Sequence, residues 1–369
     1  MQCIDLVVES DLKWSTRTKQ LASMFDLEKK PSREEWHFDL ELPEEWQIGL
    51  IVGPSGSGKT TIGNKLFSNS FKQFEWPHDQ TVIDGFSKDL SVRQIASALS
   101  SVGFSSPPAW LRSFHVLSMG QQFRANIARA LLEGEEIIAV DEFTSVVDRT
   151  VAQIGSAAIS KAIRRGSKRF VAVACHYDII DWLQPDWILH MPEGRLERRS
   201  LRRFPTIEIE VEPGSTAQWE TFRRHHYLDH NIARSAKCFV ATWQGRPVAF
   251  ASVMSFPHPT RPGYREHRTV CLPDFQGVGI GNKLSELVAS AYRARGKPYR
   301  SCTSHPAMMR YRAKSKLWKM TRKPSRVKPI GPSSSMKVLK RTNSRTRFTA
   351  SFEFVGPTNH KVAKLWGLI

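Results

Sequence analysis

The 369-residue sequence has no apolar run long enough to cross a bilayer, and its opening residues, MQCIDLVVESDLKW, lack a basic segment followed by an apolar one. These absences argue against a membrane-spanning chain and a secretory leader. The five cysteines (Cys3, Cys175, Cys238, Cys271 and Cys302) form no CxxC pair and are odd in number. That disfavours a zinc site or a complete disulfide framework, and free thiols in a reducing cytoplasm are expected. Acidic residues are missing altogether from Leu287 to Phe352, whereas Arg310 to Arg347 supplies 14 basic ones. Before position 205 the chain carries 25 basic and 26 acidic residues; from there on it carries 29 and 9. The net charge of +19 therefore sits almost entirely in the C-terminal half. A surface of one sign implies a polyanionic partner. Nucleic acid is favoured over a membrane, because no basic helix here has a clean apolar face.

What is present is enough material for two domains with ordinary cores. Residues 36–52 read as strands that end at GPSGSGKT, and a helix is expected from Thr60 to Phe67. A strand around Gln80–Phe86, helices over Ser91–Val102 and Gly120–Glu133, the apolar strand Ile137–Val140, a helix over Val151–Arg165 and a strand over Arg169–Cys175 follow. Buried strands alternating with helices predict an α/β domain with a parallel sheet. The basic run Arg195–Arg203, with Pro205 behind it, reads as a linker, dividing the chain into domains 1–200 and 205–369. The second domain restarts as α+β. Its expected order is a strand Thr206–Val211, a helix Thr216–Leu228, a hairpin Phe239–Phe256 and a strand Arg268–Leu272. A helix to about Arg295, a strand Tyr299–Thr303, a helix from Pro306 to about Trp318 and a late strand Arg347–Val355 complete it. Residues 321–347, basic and rich in Pro and Ser, read as a loop.

GPSGSGKT matches GxxxxGK[ST] between a strand and a helix, the setting a phosphate loop requires. Its glycines, Gly53, Gly56 and Gly58, free backbone N–H groups to face an anion, with Ser55 and Thr61 completing the cradle. Lys59 would reach the β- and γ-phosphates, and the Thr60 hydroxyl would bind Mg²⁺. The strand Ile137–Val140 delivers Asp141 and Glu142 to its end, placing Asp141 to hold Mg²⁺ through water and Glu142 to activate the attacking water. Upstream, Leu117–Gln121 (LSMGQ) resembles the LSGGQ signature of ABC-type ATPases, with Ser118, Gly120 and Gln121 as its ATP contacts. Ser145–Asp148 stands where the D-loop of that family belongs, and His176 where the switch histidine belongs. Residues 35–195 are similar to an ABC nucleotide-binding domain with these motifs in order. The resemblance implies ATP hydrolysis with Glu142 and His176 at the chemistry. It also implies a dimer through the ATPase domains, because one signature closes over the partner's ATP. The short interval between Lys59 and the signature weakens a transporter reading.

A second glycine-rich stretch, Gln276–Gly281 (QGVGIG), lacks both GK[ST] and the third glycine of a dinucleotide fingerprint, since Asn282 stands there. It resembles the Q/R-x-x-G-x-G/A loop of GNAT-fold acyltransferases, with Gln276, Gly277, Val278, Gly279, Ile280 and Gly281 as the acyl-CoA cradle. The resemblance implies acetyl-CoA, or another acyl-CoA, as cofactor. Ala307 and Tyr311 resemble that family's A-x-x-x-Y, making Tyr311 the candidate general acid toward the departing thiolate; a helix-surface role is equally open. Arg224–Tyr227, the hairpin and the late strand are similar to the Mom-like phage branch, whose members modify DNA bases. His226, Tyr227 and His305 are then the candidate acceptor-pocket residues. Arg310, Arg312, Lys316, Lys319, Arg322 and Lys323 are the candidate nucleic-acid phosphate contacts.

Taken together, the residues favour a CoA-dependent acyltransferase acting on an amine of a nucleic-acid base, DNA before RNA, coupled to an ABC-type ATPase. An RNA base acetyltransferase stays open, as does a regulatory or defence ATPase whose GNAT domain acts on protein or a small molecule.

Overall fold

The computed structural model describes residues 2–10, 13–26, 28, 32–199, 207–226, 230–326 and 348–369. The chain divides into two compact units. One comprises residues 1–72, 135–145 and 167–203; the other comprises 73–134, 146–166 and 204–369.

In the first unit a five-stranded sheet runs in the order Ile137–Val140, Arg169–Ala174, Ile48–Val52, Trp187–His190 and Arg195–Arg198. The first four strands are parallel and the last is antiparallel. The central strand, IGLIV, is buried throughout, as expected of a parallel strand covered on both faces. Arg195–Arg198 was expected to begin the linker. It instead completes the sheet as an edge strand opposite Trp187–His190, where basic side chains suit the solvated side. Residues 200–206, including Pro205, lie outside the described residues. The core gathers Ile51, Ile62, Phe67, Val171, Val173, Trp187 and Leu189. A separate hairpin pairs Gln2–Ser10 with Ser32–Leu40.

The second unit joins four helices of the first half to the whole described C-terminal half. Ser91 and Ser118 cap Val92–Ser101 and Met119–Glu133 in reciprocal boxes with Gln94 and Gln121. Asp148 caps Arg149–Ile163, accepting from the N–H groups of Thr150 and Val151 at 3.0 and 3.1 Å. Gln80–Phe86 forms turns, not the expected strand; Thr81 and Asp84 hydrogen-bond locally there in place of a ladder. A seven-stranded sheet runs Trp318–Arg326, Phe348–Phe354, Tyr299–Thr303, Gly263–Cys271, Arg246–Phe256, Lys237–Trp243 and Glu210–Gly214. Every pairing is antiparallel except Gly263–Cys271 with Tyr299–Thr303. Those two strands pair only at Tyr264 with Tyr299 and Arg265 with Arg300, then part. The parting opens the sheet at the point where QGVGIG turns into the helix Ile280–Arg293.

Three expectations fail here. The helix from Pro306 ends at Lys314, and Trp318–Arg326 is a strand against Phe348–Phe354. Its sparse apolar residues, with Trp318 and Met320 two apart, hid the alternation among basic side chains. Residues 327–347 lie outside the described residues. The expected helix Thr216–Leu228 is only a short turn, Thr216–Gln218, followed by Trp219–Arg223. The strand expected from Arg268 begins at Gly263.

Candidate functional site

The phosphate loop emerges from the buried strand Ile48–Val52 and ends in the helix Lys59–Leu66. A Cβ on Gly53 would stand 2.3 Å from the carbonyl oxygen of Met191 and 2.8 Å from the Ser57 hydroxyl, so only glycine fits. Gly56 and Gly58 both hold φ +78°. Among the described residues the N–H groups of Gly56, Gly58, Lys59 and Thr60 have no backbone acceptor, and the buried Ser57 hydroxyl has no partner. These are donors arranged for an anion the protein does not supply. The Lys59 ammonium folds back onto the carbonyl of Pro54 at 2.5 Å. Asp141 and Glu142 leave the strand Ile137–Val140, two places along the sheet, and His176 follows the intervening strand Arg169–Ala174. Three parallel strands thus present the loop, the two carboxylates and the imidazole at their carboxyl ends, where ligands bind in sheets of this kind. Glu142 (φ +48°) and Thr144 (φ +66°) are both left-handed, a strained conformation of the sort that gathers at functional turns. The structure adds one residue that the motif did not indicate. The Trp36 ring lies 3.2 Å from where a Cβ on Gly58 would stand, giving an aromatic face beside the loop.

Ser118 and Gln121 open the helix Met119–Glu133 as its capping pair, and a Cβ on Gly120 would stand 3.0 Å from Val151. The signature segment is therefore locked locally, with its helix against Arg149–Ile163.

QGVGIG lies against these same helices. Gly277 holds φ +92°, and its absent Cβ would be 2.7 Å from the Cα of Gly103, itself at φ +89°. Two glycines are required there because two backbones meet. The Gln276 amide bridges, accepting from the Ser105 N–H at 2.9 Å and donating to the Cys271 carbonyl at 2.9 Å. Arg124, 1% exposed, donates to the carbonyls of Pro273 and Asp274 at 2.8 and 3.1 Å. Burial pushes its guanidinium below the usual value, with Asp274 opposing. Gly279 holds φ +106° and opens the helix Ile280–Arg293. A cleft of about 1090 Å³ borders this loop. Its lining includes Gly277, Gly279 and Asn282 together with Ser105, Lys161 and Arg165. The buried Asn282 Oδ1 has no hydrogen-bond partner. The glycine cradle and the cleft volume fit an elongated phosphate-bearing cofactor.

The expected acceptor residues divide. His226 and His305 line this cleft; Tyr227 lies outside the described residues. His305 Nε2 meets the carbonyl of Ser105 at 3.0 Å, which places the ring proton on Nε2 and leaves Nδ1 as the basic nitrogen. Burial pushes its pKa down, the Ser105 carbonyl opposing. Tyr311 also lines the cleft and donates to Glu286 Oε1 at 2.8 Å. Burial, then that bond, raise its hydroxyl to about 12. Arg312 was expected to contact nucleic-acid phosphate, and the structure overturns this. It is 1% exposed, pairs with Glu266 at 2.9 Å and stacks on Trp318 at 4.2 Å. The other side of the same helix turns Arg310 and Lys314 to the cleft. Lys316, Lys319 and Lys323 remain on the surface, and Arg322 donates to the Thr349 hydroxyl at 2.6 Å. Cys175, Cys238, Cys271 and Cys302 are free thiols. Among the described residues no helix is long and apolar enough to cross a membrane, and no cluster of metal-ligating side chains is present.

Residues 198–312 match the model of the Acetyltransferase (GNAT) family. The chain is 31% identical over 101 residues to the pyoverdine export ATP-binding/permease protein PvdT of Pseudomonas fluorescens, covering 27% of this chain and 15% of that protein. It is 26% identical over 183 residues to the phosphonates import ATP-binding protein PhnC 1 of a Synechococcus species, covering 36% of this chain and 69% of the relative. The chain thus spans well under a fifth of the length of the first relative. Among solved structures, the dimeric bacterial ABC transporter cassette MJ0796 aligns with a TM-score of 0.37 at 20% identity, covering 46% of this chain and 94% of the cassette. A bacterial Atm1-family ABC exporter with ATP bound aligns with a TM-score of 0.34 at 21% identity, covering 41% of this chain and 33% of the exporter. Along the chain, a mainly parallel α/β sheet that carries a phosphate loop is followed by a GNAT-type α+β sheet, part of which lies in the matched residues 198–312.

Proposed function

We propose that the protein is an acyl-CoA-dependent N-acyltransferase that modifies an amine on a nucleic-acid base, DNA before RNA, and that its ABC-type half hydrolyses ATP to clamp or expose that base. The observation that carries this reading is the cleft beside QGVGIG. It combines a glycine cradle with a rim of Arg265, Arg268, Arg310 and Lys314, which suits a polyanionic substrate. The acidic-residue-free stretch from Leu287 to Phe352 extends the same positive character.

In the ATPase half the N–H groups of Gly56, Gly58, Lys59 and Thr60 and the Lys59 ammonium would bind the triphosphate. Thr60 and Asp141 would hold Mg²⁺, which would supply positive charge beside the phosphates. Glu142 takes the proton of the attacking water, His176 orients it, and Trp36 offers a face for the purine. Ser118 and Gly120 close over the nucleotide of a second subunit, so the working form is a homodimer.

In the transferase half the N–H groups of Gly277 to Ile280 would face the cofactor phosphates. Acyl-CoA supplies an activated thioester. His305, neutral by burial and with Nδ1 as its basic nitrogen, receives a proton from the acceptor amine, with His226 nearby on the same cleft. Tyr311, protonated throughout the physiological range, gives its proton to the departing sulfur once the hydroxyl turns from Glu286, to which it donates in the structure. A base inside a duplex is out of reach, so it must be flipped or presented single-stranded at a cost of a few kcal/mol. Closure of the ATPase dimer is suited to drive that exposure. The hairpin and late strand resemble those of the Mom-like phage acyltransferases, and that likeness supports a base amine as acceptor. The cytoplasm of a bacterial or infected cell is its expected location.

Mass spectrometry of nucleosides from cells expressing the wild type or a Gly279→Val/Gly281→Val variant tests this. A new modified deoxynucleoside that disappears in the variant supports the reading. A modified ribonucleoside moves the acceptor to RNA, and no change in either pool refutes a nucleic-acid substrate.

A further inference from the structure

The second glycine loop is bordered by cations that lie outside the GNAT-matched segment. Lys161, in the last turn of Arg149–Ile163, donates its ammonium to the Val278 carbonyl at 2.8 Å. Its Nζ stands 3.3 Å from the position a Cβ on Gly279 would occupy. Arg165 is four residues further along and lines the same cleft. Lys283 stands in the first turn of the helix that the loop opens. Glu286, on the same helix as Lys283, is already engaged by Lys283 at 3.5 Å and by the Tyr311 hydroxyl at 2.8 Å. Burial, then Arg165 and Lys283, push the Lys161 ammonium below its usual value.

Gathering like charges around a half-buried amine is costly unless an anion joins them. The loop makes the same demand. The N–H groups of Gly277, Val278, Gly279 and Ile280 have no backbone acceptor among the described residues. An ammonium has three donors, and the Val278 carbonyl takes only one from Lys161. Arg165 presents a guanidinium whose planar fork matches two phosphate oxygens.

We propose that Lys161 and Arg165 bind the phosphates of the acyl donor, so that the cofactor site of the transferase is completed by the helix that Asp148 caps in the ATPase half. The proposal rests on the acyl-CoA reading above. It makes the D-loop helix a structural partner of the cofactor, which the transferase segment alone does not contain.

The test is isothermal titration of the full-length protein with acetyl-CoA, using variants that separate charge from loop support. In Lys161→Gln/Arg165→Gln an N–H donor remains for the Val278 carbonyl, but both charges are gone. Lys161→Arg/Arg165→Lys keeps the charges. The Gln pair should raise the Kd about 10- to 100-fold, the effect expected for losing charge-assisted contacts to phosphate, while the charge-conserving pair, which gives up the Arg165 fork but keeps both charges, should raise it clearly less. If wild type binds acetyl-CoA and the Gln pair binds it equally well, the proposal is wrong and the acyl-CoA reading stands. If the charge-conserving pair loses as much as the Gln pair with both still folded, the residues act through packing and the proposal is again wrong. If wild type itself does not bind acetyl-CoA, the parent reading falls and takes this one with it.

Discussion

Replacing Glu266 by Gln should remove the countercharge of Arg312 while leaving the side-chain volume almost unchanged. The two side chains are 7% and 1% exposed. Arg312 Nη2 lies 2.9 and 3.2 Å from the two carboxylate oxygens and 2.7 Å from the Ser285 hydroxyl, which itself lies 2.7 Å from Glu266. Thr269 donates to the same carboxylate at 2.7 Å, and Ser301 bonds to both partners. Burial alone would push the Glu266 carboxyl up; Arg312, Ser301, Thr269 and Ser285 outweigh it and hold the group below its ordinary value. Removing one member of such a pair strands the other, at about 3–5 kcal/mol. The amide still makes some of the hydrogen bonds, so the lower end applies. In a unit of this size each kcal/mol moves Tm by about 2–4 °C, giving a fall of about 6–12 °C.

Replacing both residues, Glu266→Leu with Arg312→Met, should recover most of that loss, since neither charge then remains buried. The linkage also has a defined sign. A carboxyl whose folded pKa is depressed stabilises the protein above its unfolded value and loses that contribution as pH falls through the folded one. The wild type should therefore lose Tm on acidification below about pH 4.5, a loss that the Gln variant does not show. Thermal unfolding followed by near-ultraviolet circular dichroism reads both effects. A Gln variant within 1 kcal/mol of wild type, or a double variant as unstable as the summed singles, would falsify the buried-pair account.

Two further outcomes are expected. Glu142→Gln should cut ATP turnover by at least about 100-fold while leaving nucleotide binding nearly intact, measured by phosphate release and by fluorescent-nucleotide titration. Equal loss of binding and turnover would remove Glu142 from the chemical step. His305, whose pKa is lowered by burial, destabilises the fold when it must protonate. Stability should therefore drop as pH falls below about 6.5, and His305→Gln should flatten that slope in urea titrations.

The ATPase motifs were legible because each is short, local and tied to its element: Gly53–Thr60 after a buried strand, Asp141 and Glu142 at the end of another. The glycine loop was legible for the same reason. The cleft was not, because part of its lining arrives from residues 100–165 through contacts such as Ser105 with Gln276, which no periodicity announces. Arg312 misled for a related reason. Its neighbours Arg310 and Lys314 face the cleft, and half a helical turn separates a cleft-facing cation from a buried one. Trp36 and Lys161 carry no motif, and their roles follow only from what they stand beside. Basic residues from Lys319 to Lys323 concealed a strand whose apolar side is carried by Trp318 and Met320.

The bond from Arg124 to the carbonyls of Pro273 and Asp274 also says something about divisibility. A gene cut at the basic stretch after Arg198 would look natural from charge and composition. The resulting C-terminal piece would leave behind Arg124, Gly103, Ser105 and Lys161, and also Ile154, which is buried in the same core as Phe275 and Ile280. Its cofactor loop would lose its backing and expose carbonyls with no donor. The two halves have to be inherited, expressed and engineered as one piece, and any transplant of the transferase should carry residues 73–134 and 146–166 with it.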